Sequence, residues 1–128
     1  MLTELQTKTL WALVDCIIPA DDYPGGWQGG VGAYLARLLT LEPQFLFPYQ
    51  RGLDALEAEA GGGFHLLDQS SQNTLLTRLE HEAVRGAFFR LLVVHVMEGF
   101  YADPGNGGNT NGIAWQMIGF QVTDTEKP

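Results

Sequence analysis

The stretch that decides the fold of this chain runs from Val84 to Tyr101 and reads VRGAFFRLLVVHVMEGFY. It is apolar on nearly every side of a helix, and a helix of that kind is expected in a protein interior. We therefore predict a central buried helix over these residues. Its most buried side chains are expected among Phe89, Leu92, Val93, Val96 and Met97.

The same stretch bears on membrane insertion. Its apolar run from Ala87 to Phe100 contains Arg90, His95 and Glu98. The run is also shorter than the roughly 20 apolar residues that a transmembrane helix needs. The sequence therefore predicts no direct membrane span.

An amphipathic helix opens the chain. Thr3 can cap its free amides, and Gln6 can reach back to complete a capping box. One helical face carries apolar residues at i, i+3, i+4 and i+7, namely Leu10, Leu13, Val14 and Ile17. Pro19 ends this helix, and residues 21–30 are rich in Gly and Pro and are predicted to form a loop.

Three more helices are predicted between this loop and the central helix. Their apolar stripes are Val31, Tyr34, Leu35, Leu38 and Leu39; Tyr49, Leu53, Leu56 and Ala60; and Leu75, Leu76 and Leu79. Pro43 ends the second helix, the three glycines at 61–63 close the third, and Ser70 or Ser71 caps the fourth. No alternating strand pattern of useful length is present.

The C-terminal segment has a different composition. Residues 103–112 contain one proline, four glycines and three asparagines, and the apolar and aromatic stretch from Ile113 to Phe120 follows. A long loop of this kind in a small protein is usually functional or mobile. The predicted fold is all-α, a single domain over residues 1–128. It is a compact bundle of about five helices with a long Gly/Asn-rich C-terminal loop and tail.

The composition limits the classes of partner. Seven basic and fifteen acidic residues give a net charge of −8. This balance argues against a nucleic acid or an anionic membrane surface as the partner. Cys16 is the one cysteine, so an internal disulfide and a cysteine metal cluster are both excluded. The N-terminus shows no basic region followed by an apolar run, so no export leader is expected.

Few residues suggest chemistry. The Glu-x-x-His signature of di-iron bundles does not occur on two helices, although His95 and Glu98 lie one turn apart and can touch. A metal or acid–base role for that pair stays open beside a structural one. Cys16 has no cationic neighbour along the chain to lower its pKa, so we interpret it as a core residue.

The glycine-rich segment matches neither the dinucleotide fingerprint nor the P-loop. The segment carries oxygen-bearing side chains that resemble those of a calcium loop, namely Asp103, Asn106, Asn109 and Asn111. The order of ligands in an EF-hand and its terminal glutamate are missing. We therefore assign no catalytic residue, no cofactor and no metal. A small metal-binding or catalytic helical protein that uses His95 and Glu98, or the Asn-rich loop, is the alternative.

Four aromatic residues lie in or beside predicted loops: Trp27, Tyr101, Trp115 and Phe120. Large aromatic side chains in such places either cover a local core or anchor a protein interface. The sequence alone leaves both interpretations open.

Several short blocks together carry a resemblance to a known family. They are Ile17-Ile18-Pro19-Ala20-Asp21-Asp22, Pro24-Gly25, Gly30-Val31, Tyr49-Gln50-Arg51-Gly52-Leu53, Leu79-Glu80, Glu98-Gly99-Phe100-Tyr101-Ala102-Asp103-Pro104, Gly107-Gly108-Asn109, Trp115 and Ile118-Gly119-Phe120. Across nearly the whole chain this pattern resembles the gluconate 2-dehydrogenase subunit 3 family, the small gamma subunit of flavin-dependent sugar and sugar-acid dehydrogenase complexes.

The resemblance implies an accessory function. Such a subunit carries no flavin, haem or substrate site. It binds, stabilises and escorts a large flavin-dependent (GMC-type) dehydrogenase subunit, which passes electrons to a cytochrome c subunit. The most specific part of the match lies at the C-terminal end. We therefore expect the partner interface at Tyr101, Asp103, Asn109, Trp115 and Phe120.

The sequence also departs from the family pattern. Asn106, Ala114 and Gln121 replace an aromatic residue, a glycine and a proline that the family often has. The resemblance implies twin-arginine export and a periplasmic location. Without a leader the location would be cytoplasmic. A stand-alone adaptor with an unrelated protein partner is the remaining alternative.

Overall fold

The computed structural model describes residues 1–19, 25–83 and 85–101. These residues form five α-helices: α1 (Glu4–Ile17), α2 (Gly32–Leu41), α3 (Leu46–Glu59), α4 (Gln69–Glu80) and α5 (Arg85–Phe100). A π-helical turn, Trp27–Val31, leads into α2, and 3-10 turns at Pro43–Phe45 and Phe64–Leu66 precede α3 and α4. Since no strand occurs in this part of the chain, the predicted all-α fold is confirmed.

The core lies where α5 meets the other helices. This helix packs against α1, α2, α3, α4 and the π-helical turn, so its predicted central place is confirmed. Leu92 and Val96 are fully buried there. They pack in one apolar cluster with residues from the other helices, including Leu10, Leu13, Leu35, Tyr49, Leu53 and Leu79. None of the described helices is both long and apolar enough to traverse a membrane.

The prediction for the most buried side chains of α5 is confirmed for Leu92 and Val96 and is wrong for the other three residues. Phe89 and Val93 are only half-buried, Met97 is exposed, and the exposed fraction of Val94 is 55%. Val94 and Met97 lie one turn apart, and a helix places residues with that spacing on one face. The periodicity of α5 is therefore hidden by apolar residues on its outer face.

Two glycines allow α5 to approach its neighbours closely. A Cβ atom at Gly52 of α3 would overlap the ring of Phe88 on α5. A Cβ atom at Gly99 of α5 would lie 2.8 Å from the ring of Tyr34 on α2. Since real Cβ atoms do not come this close to another atom, glycine is required at both contacts.

The ends of the helices follow from local hydrogen bonds. The predicted capping box is confirmed, because Thr3 Oγ1 accepts from the Gln6 amide and Gln6 Oε1 accepts from the Thr3 amide.

The predicted cap of α4 is wrong. Asp68, and neither Ser70 nor Ser71, is the N-cap, since its carboxylate accepts from the Ser71 amide at 2.7 Å. The predicted loop 21–30 is also wrong for residues 27–30, which belong to the π-helical turn Trp27–Val31.

A half-buried carboxylate, that of Glu57, organises the connection between α3 and α4. Gly61, Gly62 and Gly63 all have positive φ values, which other residues rarely adopt. Glu57 accepts hydrogen bonds from the amides of Gly63 and Phe64 and from Thr9 Oγ1 on α1. Burial opposes the charge, but these hydrogen bonds lower the pKa of Glu57 below its usual value. The carboxylate therefore ties this turn to α1 and α3.

We predict that Val96→Asp prevents folding. An unpaired carboxylate in the interior costs several kcal/mol, which is comparable to the total stability of a small domain. Val94→Asp is the matched control, because it makes the same change on the exposed face of the same helix and should leave the melting temperature nearly unchanged. Circular dichroism melts test both variants. A soluble Val96→Asp protein that melts cooperatively would contradict a central position for α5.

Candidate functional site

His95 has a structural partner in the core. It is 5% exposed, and its Nδ1 atom lies 2.7 Å from the hydroxyl of the fully buried Tyr49. The two rings are stacked, with 5.8 Å between their centroids, and Phe45 packs edge-on against the imidazole at 4.7 Å. Burial lowers the pKa of His95, and the nearby Glu98 carboxylate opposes this effect.

Glu98 faces a different neighbour. Its carboxylate is exposed and accepts a hydrogen bond from the hydroxyl of Tyr34 on α2 at 3.3 Å. Among the described residues, no hydrogen bond joins Glu98 to His95, and no cluster of three or more His, Cys, Asp or Glu residues could hold a metal ion. The geometry therefore does not bring this pair together as an acid–base or metal site.

An open groove of the described surface lies between α1 and the segment that leads into α4. Its volume is about 600 Å³. The residues that line it are Lys8, Trp11, Ala12, Asp15, Cys16, Pro19, His65, Leu67, Gln69 and Gln72. One side of the groove, its aromatic wall, carries Trp11, and its polar floor carries Cys16 and Gln72.

Trp11 forms the aromatic wall of the groove, and Trp27 stacks against it. The rings of Trp11 and Trp27 lie 5.5 Å apart and are nearly parallel. Asp15 fixes both residues, because its Oδ2 accepts from Trp11 Nε1 at 3.0 Å and its Oδ1 accepts from the Trp27 amide at 3.1 Å. Gly32 leaves space for the Trp27 ring, since a Cβ atom there would lie 2.6 Å from it. Trp11 remains 40% exposed, so the stack presents a rigid aromatic surface.

The polar floor of the groove is a short hydrogen-bonded chain. The Cys16 thiol donates to Gln72 Oε1 at 3.4 Å, and Gln72 Nε2 donates to the carbonyl of Phe64 at 2.9 Å. Burial, with a smaller contribution from Asp15, raises the pKa of the Cys16 thiol to about 11. The thiol is therefore neutral at physiological pH and is not an activated nucleophile.

The expected partner interface falls largely outside the described residues. Asp103, Asn109, Trp115 and Phe120 lie there, as does the whole Asn-rich loop. Tyr101 directly follows α5 and is half-buried. Its ring packs edge-on against Phe100 at 5.1 Å, and its amide donates to the carbonyl of Met97.

The sequence analysis did not single out Trp11. A signal was present, because Trp11 and Asp15 are four residues apart and therefore share one face of a helix. The contact with Trp27 depends on the tertiary structure, since it joins α1 to the π-helical turn. Trp27, which the sequence left open as either a core cover or an anchor, is half-buried in this stack.

We predict that Cys16 reacts slowly with iodoacetamide at neutral pH. Because its pKa is raised to about 11, the rate should still climb tenfold per pH unit between pH 7 and 9.5. An unperturbed thiol such as glutathione is the control, and its rate should level off near a pKa of about 8.5. A Cys16 rate that levels off together with the control would contradict the buried, neutral thiol.

Comparison with known proteins identifies the family. A family model described as gluconate 2-dehydrogenase subunit 3 matches residues 4–121. No curated protein and no solved structure gives a match. The matched range includes all five helices and every block of residues that carries the resemblance noted above. The chain therefore belongs to the gluconate 2-dehydrogenase subunit 3 family.

Proposed function

We propose that this chain is a non-catalytic small subunit that binds and stabilises a large flavin-dependent sugar or sugar-acid dehydrogenase subunit. The observation that carries the proposal is the family match over residues 4–121, because that family is named as a subunit of a dehydrogenase. The proposal includes escort of the large subunit to the periplasm, where a cytochrome c subunit accepts its electrons.

The described side chains support a binding role more than a chemical one. Two residues with acid–base or nucleophilic potential are engaged within the fold, since His95 is hydrogen-bonded to Tyr49 and Cys16 to Gln72. In contrast, Trp11 is held rigidly by Asp15 and stays partly exposed. Aromatic side chains that are fixed before binding are favourable anchors, because little entropy is lost when a partner covers them.

We place the partner interface at the end of the bundle where α5 stops. Gly99 contacts Tyr34 near the start of α2, and the π-helical turn that carries Trp27 leads directly into α2. Tyr101 and the Trp27 stack are therefore at the same end of the bundle. The proposed anchors Trp115 and Phe120 follow along the chain, with Asp103 and Asn109 between them and Tyr101. Polar loop residues beside aromatic anchors are the usual composition of an interface.

The test is co-expression of the chain with a large flavoprotein dehydrogenase subunit of the same organism. We expect the two to purify together, and we expect the large subunit to be less soluble when it is expressed alone. Asn109→Ala, Trp115→Ala and Phe120→Ala should each reduce co-purification while the small subunit keeps its melting temperature. Loss of an interface anchor typically costs 2 kcal/mol or more of binding energy, about thirtyfold in affinity.

Phe47→Ala is the matched control, because Phe47 is a 63% exposed aromatic residue on α3 and should not affect binding. If the tail variants instead lower the melting temperature by many degrees and leave binding unchanged, the tail covers the core and the interface lies elsewhere. A large subunit that folds, takes up flavin and purifies alone at the same yield would contradict the proposed function itself.

A further inference from the structure

The contact between His95 and Tyr49 joins helices that are distant in the sequence. Tyr49 lies in the first turn of α3, and His95 lies in the second half of α5. Their side chains are 5% exposed or less, and the 2.7 Å hydrogen bond between them is the one recorded for either side chain among the described residues. A single side-chain hydrogen bond therefore connects the start of α3 to the second half of α5.

Protonation of the imidazole reverses the hydrogen bond. A protonated Nδ1 donates to the Tyr49 hydroxyl oxygen, so the hydroxyl hydrogen keeps its acceptor only while the imidazole is neutral. A phenol is the better donor and a neutral imidazole nitrogen the better acceptor, so the Tyr49 hydroxyl donates to Nδ1 of His95. When the imidazole gains a proton, Nδ1 becomes a donor and can no longer accept. The Tyr49 hydroxyl must then turn its hydrogen elsewhere, in a position where the side chain is fully buried. An unsatisfied buried donor and a buried positive charge are both unfavourable.

Few negative charges lie close enough to His95 to stabilise its protonated imidazole. Around His95 the first 3-10 turn contributes the apolar ring of Phe45, and α3 contributes Tyr49. Burial raises the pKa of Tyr49, so its hydroxyl stays neutral. On α2, Tyr34 is also neutral and donates to Glu98. Within residues 1–19, 25–83 and 85–101, Glu98 of α5 is the one carboxylate whose charge favours the imidazolium, and it is exposed to solvent, which screens its effect.

We propose that the contact between His95 and Tyr49 is an acid-sensitive latch that holds the end of α5 against the start of α3 and opens when His95 takes up a proton. The latch is closed above the folded pKa of His95, which lies below the usual histidine value of about 6.5. Because burial lowers the pKa of His95 in the folded chain, the unfolded chain binds more protons below that pH. Stability is therefore lost as the pH falls from about 6.5 through the folded value.

The experiment compares thermal melts of the full chain at pH 7.5 and pH 5.5. We expect the wild-type melting temperature to fall by a few degrees on acidification. His95→Asn places a neutral amide where Nδ1 lies in the wild type. Its melting temperature should therefore fall less on acidification than that of the wild type. His81→Gln is the matched control, since the His81 side chain is 77% exposed and should leave the wild-type pH dependence unchanged. Equal pH dependence in His95→Asn and wild type would overturn the latch.

A second measurement does not depend on any variant being stable. The imidazole of His95 is followed by NMR in the wild-type chain between pH 8 and pH 4.5. We expect its ring to titrate below the usual histidine value of about 6.5. We also expect amide exchange, corrected for its intrinsic pH dependence, to accelerate first at the start of α3 and the end of α5. A ring that titrates at or above about 6.5, or exchange that accelerates uniformly, would overturn the proposal.

Discussion

The close approach of α5 to α2 and α3 is the constraint on which the other contacts depend. Gly52 and Gly99 permit it, because each lies against an aromatic ring of the neighbouring helix. At this separation Leu92 and Val96 are removed from water, and Tyr34 and Tyr49 reach Glu98 and His95. A wider spacing between the helices would break both hydrogen bonds and hydrate the core at once. The polar contacts of α5 are therefore consequences of its packing.

Much of the fold could be predicted from the sequence because helical periodicity is a local property. The stripes of α1 to α4 appear at their predicted places, and the capping box of Thr3 and Gln6 forms as expected. Errors arose where the signal was ambiguous. Asp68 and Ser70 are both good caps, and only the backbone geometry selects Asp68. Met97 and Val94 are apolar but exposed, so no pattern of hydrophobicity could have separated the inner face of α5 from its outer face.

The candidate site was less accessible to prediction, since it is assembled from distant segments. Trp11 meets Trp27, and Cys16 meets Gln72, only after α1 has packed against the π-helical turn and α4. The spacing of His95 and Glu98 predicted that they can touch, but the partner of His95 is Tyr49, which is 46 positions away, and Glu98 turns to Tyr34. Residue spacing along one helix indicates which side chains can meet. It does not indicate which partner on another helix competes for them.

The three glycines between α3 and α4 have a consequence for how the chain can be cut. Gly61 and Gly62 are exposed and have no neighbouring atoms where a side chain would lie. This turn is held by the carboxylate of Glu57 and by backbone hydrogen bonds from Gly61 and Gly62 to the last turn of α3. Glycine segments lose the most entropy on ordering, and exposed turns of this kind are the preferred sites of proteolytic nicking. Local opening here would present the backbone to a protease without exposing the core. The product would be two fragments, α1 to α3 and α4 to α5, that remain associated through the apolar contacts of α5.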